Sequence, residues 1–317
     1  MKSIKVGVIG AGIMGKHHAR VYSEIPFANL VGVADLNEEK AKGVAREFKT
    51  QAFTDFEELL TKDLDAVSIA VPTSLHKDVA LRVADYGIDM IIEKPIADSV
   101  ENARKIVKAV RTNDVKVMVG HIERFNPAVL KLKELIRRGE LGSIIAISCK
   151  RVGPYSPRIR DVGIIIDLAV HEIDTISFLY GMRADSVYAV AGSSFHKWED
   201  YASLLIKFYP DRVGLVDTNW LTPTKVRTLN AVGTKGVANL NYLEQSLEVV
   251  RVDKKVVVNV ERREPLRNEL EAFLNCVMTN TEPEPSAEDG LYVLSVATSA
   301  IKSYKSGLPV EIGGILA

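Results

Sequence analysis

The 317-residue chain is too long for one ordinary core and predicts two domains. Its 41 Lys and Arg balance 41 Asp and Glu, so no global field draws it to nucleic acid or anionic lipid, and any anion site must be local. Cys149 and Cys276 lack CxxC or Cys/His spacing, which argues against a metal site or a disulfide framework and leaves both as small buried hydrophobes in a reducing cytoplasm.

Met1-Lys-Ser runs straight into the apolar segment Ile4 to Ile9 with no signal-type region. No apolar stretch nears the roughly 20 residues that cross a bilayer, so a soluble cytoplasmic protein is expected. Up to about residue 120, apolar runs predict strands at Ile4 to Ile9, Leu30 to Ala34, Ala66 to Val71, Ile88 to Ile92 and Val117 to Val119. Helical periodicity fills the gaps, over Met14 to Glu24, Glu38 to Phe48, Phe56 to Leu60, Ser74 to Asp85 and Ser99 to Arg111. Continuous apolar strands alternating with helices predict a doubly wound parallel sheet.

From Ser143 the texture changes. Segments rich in β-branched and aromatic residues run over Ile144 to Val152, Ser186 to Ala191, Ala202 to Tyr209, Arg212 to Trp220, Arg227 to Val232, Ser246 to Val252 and Lys255 to Val260. Turn signals such as Pro210-Asp211 and Asp253-Lys254 separate several of them, which predicts a mostly antiparallel open sheet. Helices are expected at Ile164 to Tyr180, ending near Gly181, and at Leu266 to Met278 and Ala287 to Tyr304. The expected organisation is α/β throughout: a doubly wound domain over 1–121 and a second α/β domain over 122–317, its last helix free to pack back on the first domain.

Gly10-Ala-Gly-Ile-Met-Gly15 lies between the first strand and its helix. Gly10 permits a tight turn, Gly12 lets the backbone approach a pyrophosphate, and Gly15 lets the helix lie close to the strand. With Ile13 and Met14 opening the helix, its N-terminus faces the phosphates. Asp35 follows Gly15 by 20 residues, where its carboxylate can accept from the ribose hydroxyls and disfavour a 2′-phosphate, so NAD is expected over NADP. A helix cap ahead of Glu38 is the competing role for Asp35.

Val71-Pro72-Thr73 and Glu93-Lys94-Pro95 end strands at the carboxyl edge, where open α/β sheets bind ligands. Pro72 and Thr73 are expected at the cofactor, with Thr73 also capping the next helix; His76 reaches the nicotinamide side or lies on the surface. Lys94 points into the crevice, where a cation stabilises a developing alkoxide, and Glu93 orients it or pairs with it. Further on, Asp167 and His171 are four apart on a helix and share a face, which fits an acid-base couple as well as a buried, satisfied Asp-His pair.

These motifs, in this order and spacing, resemble the Gfo/Idh/MocA oxidoreductases, and the resemblance covers almost the whole chain, including Gly233-Thr-Lys-Gly236 and Pro283 through Gly290. It implies that Lys94, Asp167 and His171 are the catalytic lysine and the aspartate-histidine pair, with either Lys94 or His171 as the base. It also implies that the open sheet supports the substrate site and a homodimer or homotetramer. Lys150-Arg151, Pro157-Arg-Ile-Arg160 and Arg124 supply cations that suit a nucleotide diphosphate, or else a solvated loop. Arg124, Arg158 and Arg160, with His171, are the expected substrate contacts. Gly120-His-Ile-Glu-Arg-Phe-Asn-Pro127 and Arg158-Ile-Arg-Asp-Val-Gly163 are similar to nucleotide-sugar members of the family. That similarity implies oxidation of the 3-hydroxyl of UDP-N-acetylglucosamine or a related nucleotide sugar, with dehydrogenation of a free sugar or inositol as the alternative. A non-catalytic NAD-binding sensor would have no use for Lys94 and His171 together.

Overall fold

A computed structural model of the chain describes residues 3–156 and 162–313. Arg158 and Arg160 lie outside the described residues. Contacts divide the chain into two units, Met1–Ile122 with Glu264–Leu291, and Glu123–Arg263 with Tyr292–Ala317.

The first unit holds β1 (Ile4–Ile9), α1 (Ile13–Glu24), β2 (Ala28–Ala34), α2 (Glu38–Glu47), β3 (Gln51–Phe53), α3 (Phe56–Leu60), β4 (Ala66–Ile69), α4 (His76–Asp85), β5 (Asp89–Glu93), α5 (Val100–Asn113) and β6 (Val117–Gly120). The strands form a six-stranded sheet in the order β3-β2-β1-β4-β5-β6, with every pair parallel. β4 is buried at every residue, as strands covered on both faces must be. The expected strands and helices of this half are all present. β3 is an addition: it is three residues long and only Phe53 is buried, too little to leave a periodic signal. Asn37 caps α2 by accepting from the Lys40 N–H at 3.0 Å, and Ser99 caps α5 by accepting from that of Asn102 at 3.2 Å.

The second unit begins with α6 (Pro127–Arg137), β7 (Ile144–Pro154) and a helix that opens as a π-helical turn over Ile165–Ala169 and continues as α7 (Val170–Tyr180). The strands β8 (Ser186–Gly192), β9 (Tyr201–Phe208), β10 (Arg212–Asn219), β11 (Leu221–Gly233), β12 (Gly236–Asn241), β13 (Ser246–Val250) and β14 (Lys255–Val258) follow. α8 (Pro265–Thr279) belongs to the first unit, whereas α9 (Ala287–Ser306) lies mainly in the second, which ends with β15 (Val310–Glu311). The returning segment carries all of α8 and the first turn of α9, where Gly290 lies against Val119 and Ile96. Leu266, Leu270, Phe273 and Leu274 give α8 a buried stripe, and it packs on α1.

The second sheet runs β14-β13-β12-β11-β7-β10-β9-β8-β15, with only β7 and β10 parallel. Its strands alternate cleanly: along β9, Ala202, Leu204, Ile206 and Phe208 are buried while the residues between them are exposed. α6 and β12 were not expected from sequence. Asn126 caps α6 from the Ala128 N–H at 3.1 Å, with Pro127 at the first helical position. Among the described residues no helix is long and apolar enough to cross a membrane. Both cysteines are free; Cys149 is buried as expected, but Cys276 is only half-buried.

Candidate functional site

In the first unit the chain reverses direction outward from β1, which lies between β2 and β4, so the strand ends on either side of it form a switch point. Gly10 follows β1 with φ +103°, and a Cβ there would lie 2.5 Å from the Ala70 carbonyl oxygen. At Gly15 a Cβ would come within 1.7 Å of the Gly10 carbonyl oxygen, so only glycine lets α1 start this close to the strand. Gly12 is the N-cap of α1, makes no side-chain capping bond, and would leave a Cβ in open space. Backbone N–H groups at a clear helix N-terminus are what a pyrophosphate needs.

Asp35 stands at the end of β2, where its Oδ2 accepts from the Ala11 N–H at 2.7 Å and its Oδ1 from the Asn37 N–H at 2.8 Å. The cap of α2 is Asn37, so Asp35 serves instead to tie the end of β2 to the glycine loop. Beside it, Leu36 is 86% exposed, and Ile13 is 61% exposed on the loop itself. Apolar side chains this open at a switch point fit the flat faces of a nucleotide base. Leu36 carried no sequence motif; its signal is exposure, which only the fold reveals.

Pro72 and Thr73 follow β4, and Thr73–Leu75 form a 3₁₀ turn closed by the Leu75 N–H on the Pro72 carbonyl at 2.9 Å. Thr73 does not cap α4: that helix starts at His76, and neither helical segment has a side-chain capping bond. His76 is not a surface residue. It is 1% exposed, with Nδ1 2.9 Å from the Pro95 carbonyl oxygen and Nε2 3.0 Å from that of Val71. Burial lowers its pKa, against the raising effect of those carbonyls and of Glu93. Glu93 ends β5, with Oε1 3.0 Å from His18 Nε2 and Oε2 accepting the Lys94 N–H at 3.3 Å. Burial pushes the Glu93 carboxyl up, but His18, Lys94 and His76 together hold it below its ordinary value. Glu93 is thus an anion beside Lys94, which is half-buried at the strand end.

In the second unit Asp167 lies in the π-helical turn and is buried, and His171 is half-buried one turn later. π turns inside helices concentrate at functional sites. The helix is pinned by two buried ion pairs. Glu172 accepts from Arg151 Nε and, at 2.8 Å, from the Tyr242 hydroxyl, while Asp174 accepts from Arg124 Nε at 3.0 Å and Nη2 at 2.6 Å. Arg151 also donates to Glu123 at 2.6 Å, and Thr175 donates to the His171 carbonyl at 2.8 Å.

This geometry changes the reading of the cations. Arg151 is sealed in the interior between two carboxylates, and Lys150 pairs at 3.3 Å with Asp217, a cross-strand neighbour. Arg124 is buried with its fork on Asp174 and its guanidinium 5.3 Å from the Phe178 ring. Arg227, on β11, had no sequence signal. It lies 3.9 Å from Glu123 with its side chain 32% exposed. Burial and then the charge of Arg151 lower its pKa, while Glu123, Glu172 and Asp167 oppose them. It is a cation on the Asp167 side that retains access to solvent. Cys149 lies beside this cluster, and burial and the charge of Glu172 raise its thiol far out of the reactive range.

Residues 4–121 match the family model described as the oxidoreductase family with NAD-binding Rossmann fold, and residues 129–239 match that of the GFO/IDH/MocA C-terminal domain. Over 307 residues the chain is 28% identical to UDP-N-acetylglucosamine 3-dehydrogenase of Acidithiobacillus ferrooxidans, covering 94% of this chain and 96% of that one. It is 28% identical over 328 residues to inositol 2-dehydrogenase of Rhizobium meliloti, covering 98% and 99%. A solved structure of the Acidithiobacillus enzyme superposes with a TM-score of 0.90 at 28% identity, covering 96% of this chain and 99% of that one.

Proposed function

The chain belongs to the Gfo/Idh/MocA oxidoreductases, with an NAD-binding Rossmann domain, and from that premise we propose that it oxidises the 3-hydroxyl of UDP-N-acetylglucosamine or a related nucleotide sugar. The observation that carries the dehydrogenase reading is the first unit's strand edge, which gathers the open glycine loop, Asp35 and Lys94. Gly10, Gly12, Ile13, Met14 and Gly15 hold the pyrophosphate, Asp35 the ribose, and Pro72, Thr73 and the Glu93-Lys94 turn the nicotinamide end. NAD, when bound, supplies the hydride acceptor. His171 takes the hydroxyl proton, Asp167 orients the imidazole, and the Lys94 ammonium stabilises the oxygen as negative charge develops on it.

Free inositol is the second reading, favoured by an identity of 28% to an inositol dehydrogenase, the same figure as for the nucleotide-sugar enzyme. Purified protein titrated with UDP-N-acetylglucosamine, other UDP-sugars, N-acetylglucosamine and myo-inositol decides between them through nicotinamide absorbance. Reduction with UDP-linked substrates is expected; reduction with free polyols alone would sink the nucleotide-sugar assignment.

Assembly through the second sheet is proposed as well. Tyr188 pairs with Leu205, which in turn pairs with Leu215, and all three are exposed on one face. Neighbouring apolar side chains of this kind mark an interface. Replacing Leu205 and Leu215 together by Glu is expected to convert a dimer or tetramer to monomer in sedimentation velocity. A wild-type protein that is already monomeric refutes it.

A further inference from the structure

A chain of buried polar side chains runs beneath the Lys94 turn. The Tyr22 hydroxyl on α1 lies 2.8 Å from the Ser68 Oγ on β4, and Ser68 Oγ lies 2.8 Å from His18 Nδ1. His18 Nε2 is 3.0 Å from Glu93 Oε1, and Glu93 Oε2 accepts the Lys94 N–H at 3.3 Å. Tyr22, His18 and Ser68 are each fully buried, in a layer where apolar side chains would pack without desolvating anything. The bonds are mutually consistent. With Glu93 ionised, His18 Nε2–H donates to it, Nδ1 accepts from the Ser68 hydroxyl, and Ser68 accepts from Tyr22.

The surroundings fit the same purpose. Gly120 on β6 leaves the space Glu93 occupies, since a Cβ there would approach Glu93 Cα and Oε2 to 3.3 Å. On the other side of the turn, the His76 ring lies between the carbonyl oxygens of Pro95, 2.9 Å from Nδ1, and Val71, 3.0 Å from Nε2, and as a neutral imidazole protonated on Nδ1 it donates to Pro95. The two residues that flank Lys94 in sequence are therefore each held by a buried histidine.

We propose that His18, acting through Glu93, and His76, acting through the Pro95 carbonyl, are positioning residues that fix where the Lys94 ammonium stands. This rests on the reading of Lys94 as catalytic. Both histidines are buried and act through protein groups, His18 on Glu93 and His76 on the Pro95 carbonyl.

The test compares His18→Phe, which keeps a ring but no donor, with His18→Gln, which can still donate to Glu93. His18→Phe is expected to lower kcat by roughly 10- to 100-fold, since a displacement of about 1 Å near the chemistry costs that much. NADH affinity should stay within about threefold, because the glycine loop is untouched. His18→Gln should recover most of the loss, which a purely structural role would not predict. In the absence of substrate, acetic anhydride labelling of Lys94, measured by mass spectrometry relative to Lys105, should change roughly threefold or more in His18→Phe and return in His18→Gln. If His18→Phe does not fold, Ser68→Ala keeps the His18 ring but removes its Nδ1 partner, together with the acceptor of the Tyr22 hydroxyl, and should shift Lys94 labelling in the same direction. Wild-type kcat and wild-type Lys94 labelling in a folded variant overturn the proposal. A Lys94→Met arm separates the two readings. Activity retained there refutes catalysis by Lys94, whereas a dead Lys94→Met beside a wild-type His18→Phe refutes only the positioning role.

Discussion

Replacing Lys94 by Met is expected to lower kcat by roughly two to three orders of magnitude, the loss that follows removal of one preorganised donor to a developing oxyanion. Met keeps the stem and its packing, so what disappears is the charge at the end of β5. Glu93 remains an anion beside the turn, and with no ammonium to balance it the site turns repulsive toward the alkoxide. NADH should still bind within about threefold, because the contacts proposed for the pyrophosphate, the Gly10 to Gly15 loop, and for the ribose, Asp35, are left intact. His171→Ala should cost roughly a hundredfold or more in turnover, again with cofactor binding kept. If the two residues act on one transition state, the double variant will be only slightly worse than the poorer single one. Steady-state rates and NADH fluorescence titration read all three. Wild-type turnover in either single variant removes that residue from the mechanism, and losses that multiply in the double variant mean that the two do not work as a unit.

Local chemistry decided which parts of this molecule could be read in advance. The Rossmann half was legible because its central parallel strands are apolar on both faces and most of its turns into a helix leave a glycine or cap residue behind. Lys94 was found by position, since a lysine straight after an apolar strand lies at the ligand-binding edge. The ion pairs were not legible. Arg124 and Asp174 are 50 residues apart and Arg151 and Glu172 are 21 apart, and neither separation follows a local period. Read locally, Arg124, Lys150 and Arg151 are cations that suit a diphosphate or a solvated loop. Arg227 and Leu36 leave no signal for the opposite reason: an arginine in a strand and a leucine in a loop are ordinary until the fold shows what stands beside them.

The largest effect on stability is expected at Arg151. Its side chain is 2% exposed and lies between Glu172 and Glu123, both nearly as deep. Burial alone would push its pKa down, yet the two carboxylates more than offset that and hold the guanidinium charged. Arg151→Met removes the cation and leaves two buried carboxylates facing each other, a change that costs about 3–5 kcal/mol. Against the roughly 5–15 kcal/mol that separates a typical native domain from its unfolded chain, that is about a fifth at the least. Both tryptophans of the chain, Trp198 and Trp220, lie in the second unit, so their fluorescence during urea unfolding reports this half specifically. The midpoint should fall sharply in Arg151→Met. It should recover in the triple variant that adds Glu123→Gln and Glu172→Gln, because two neutral amides have far less to lose by burial than two uncompensated charges. The same substitutions bear on function, since Glu172 adjoins His171 on α7 and Arg151 ties that helix to β7. The triple variant should therefore regain stability without regaining full turnover: amides restore the solvation balance but not the short charged tether that sets the helix. Equal unfolding midpoints for wild type and Arg151→Met would show that this cluster is solvated and does not anchor the helix.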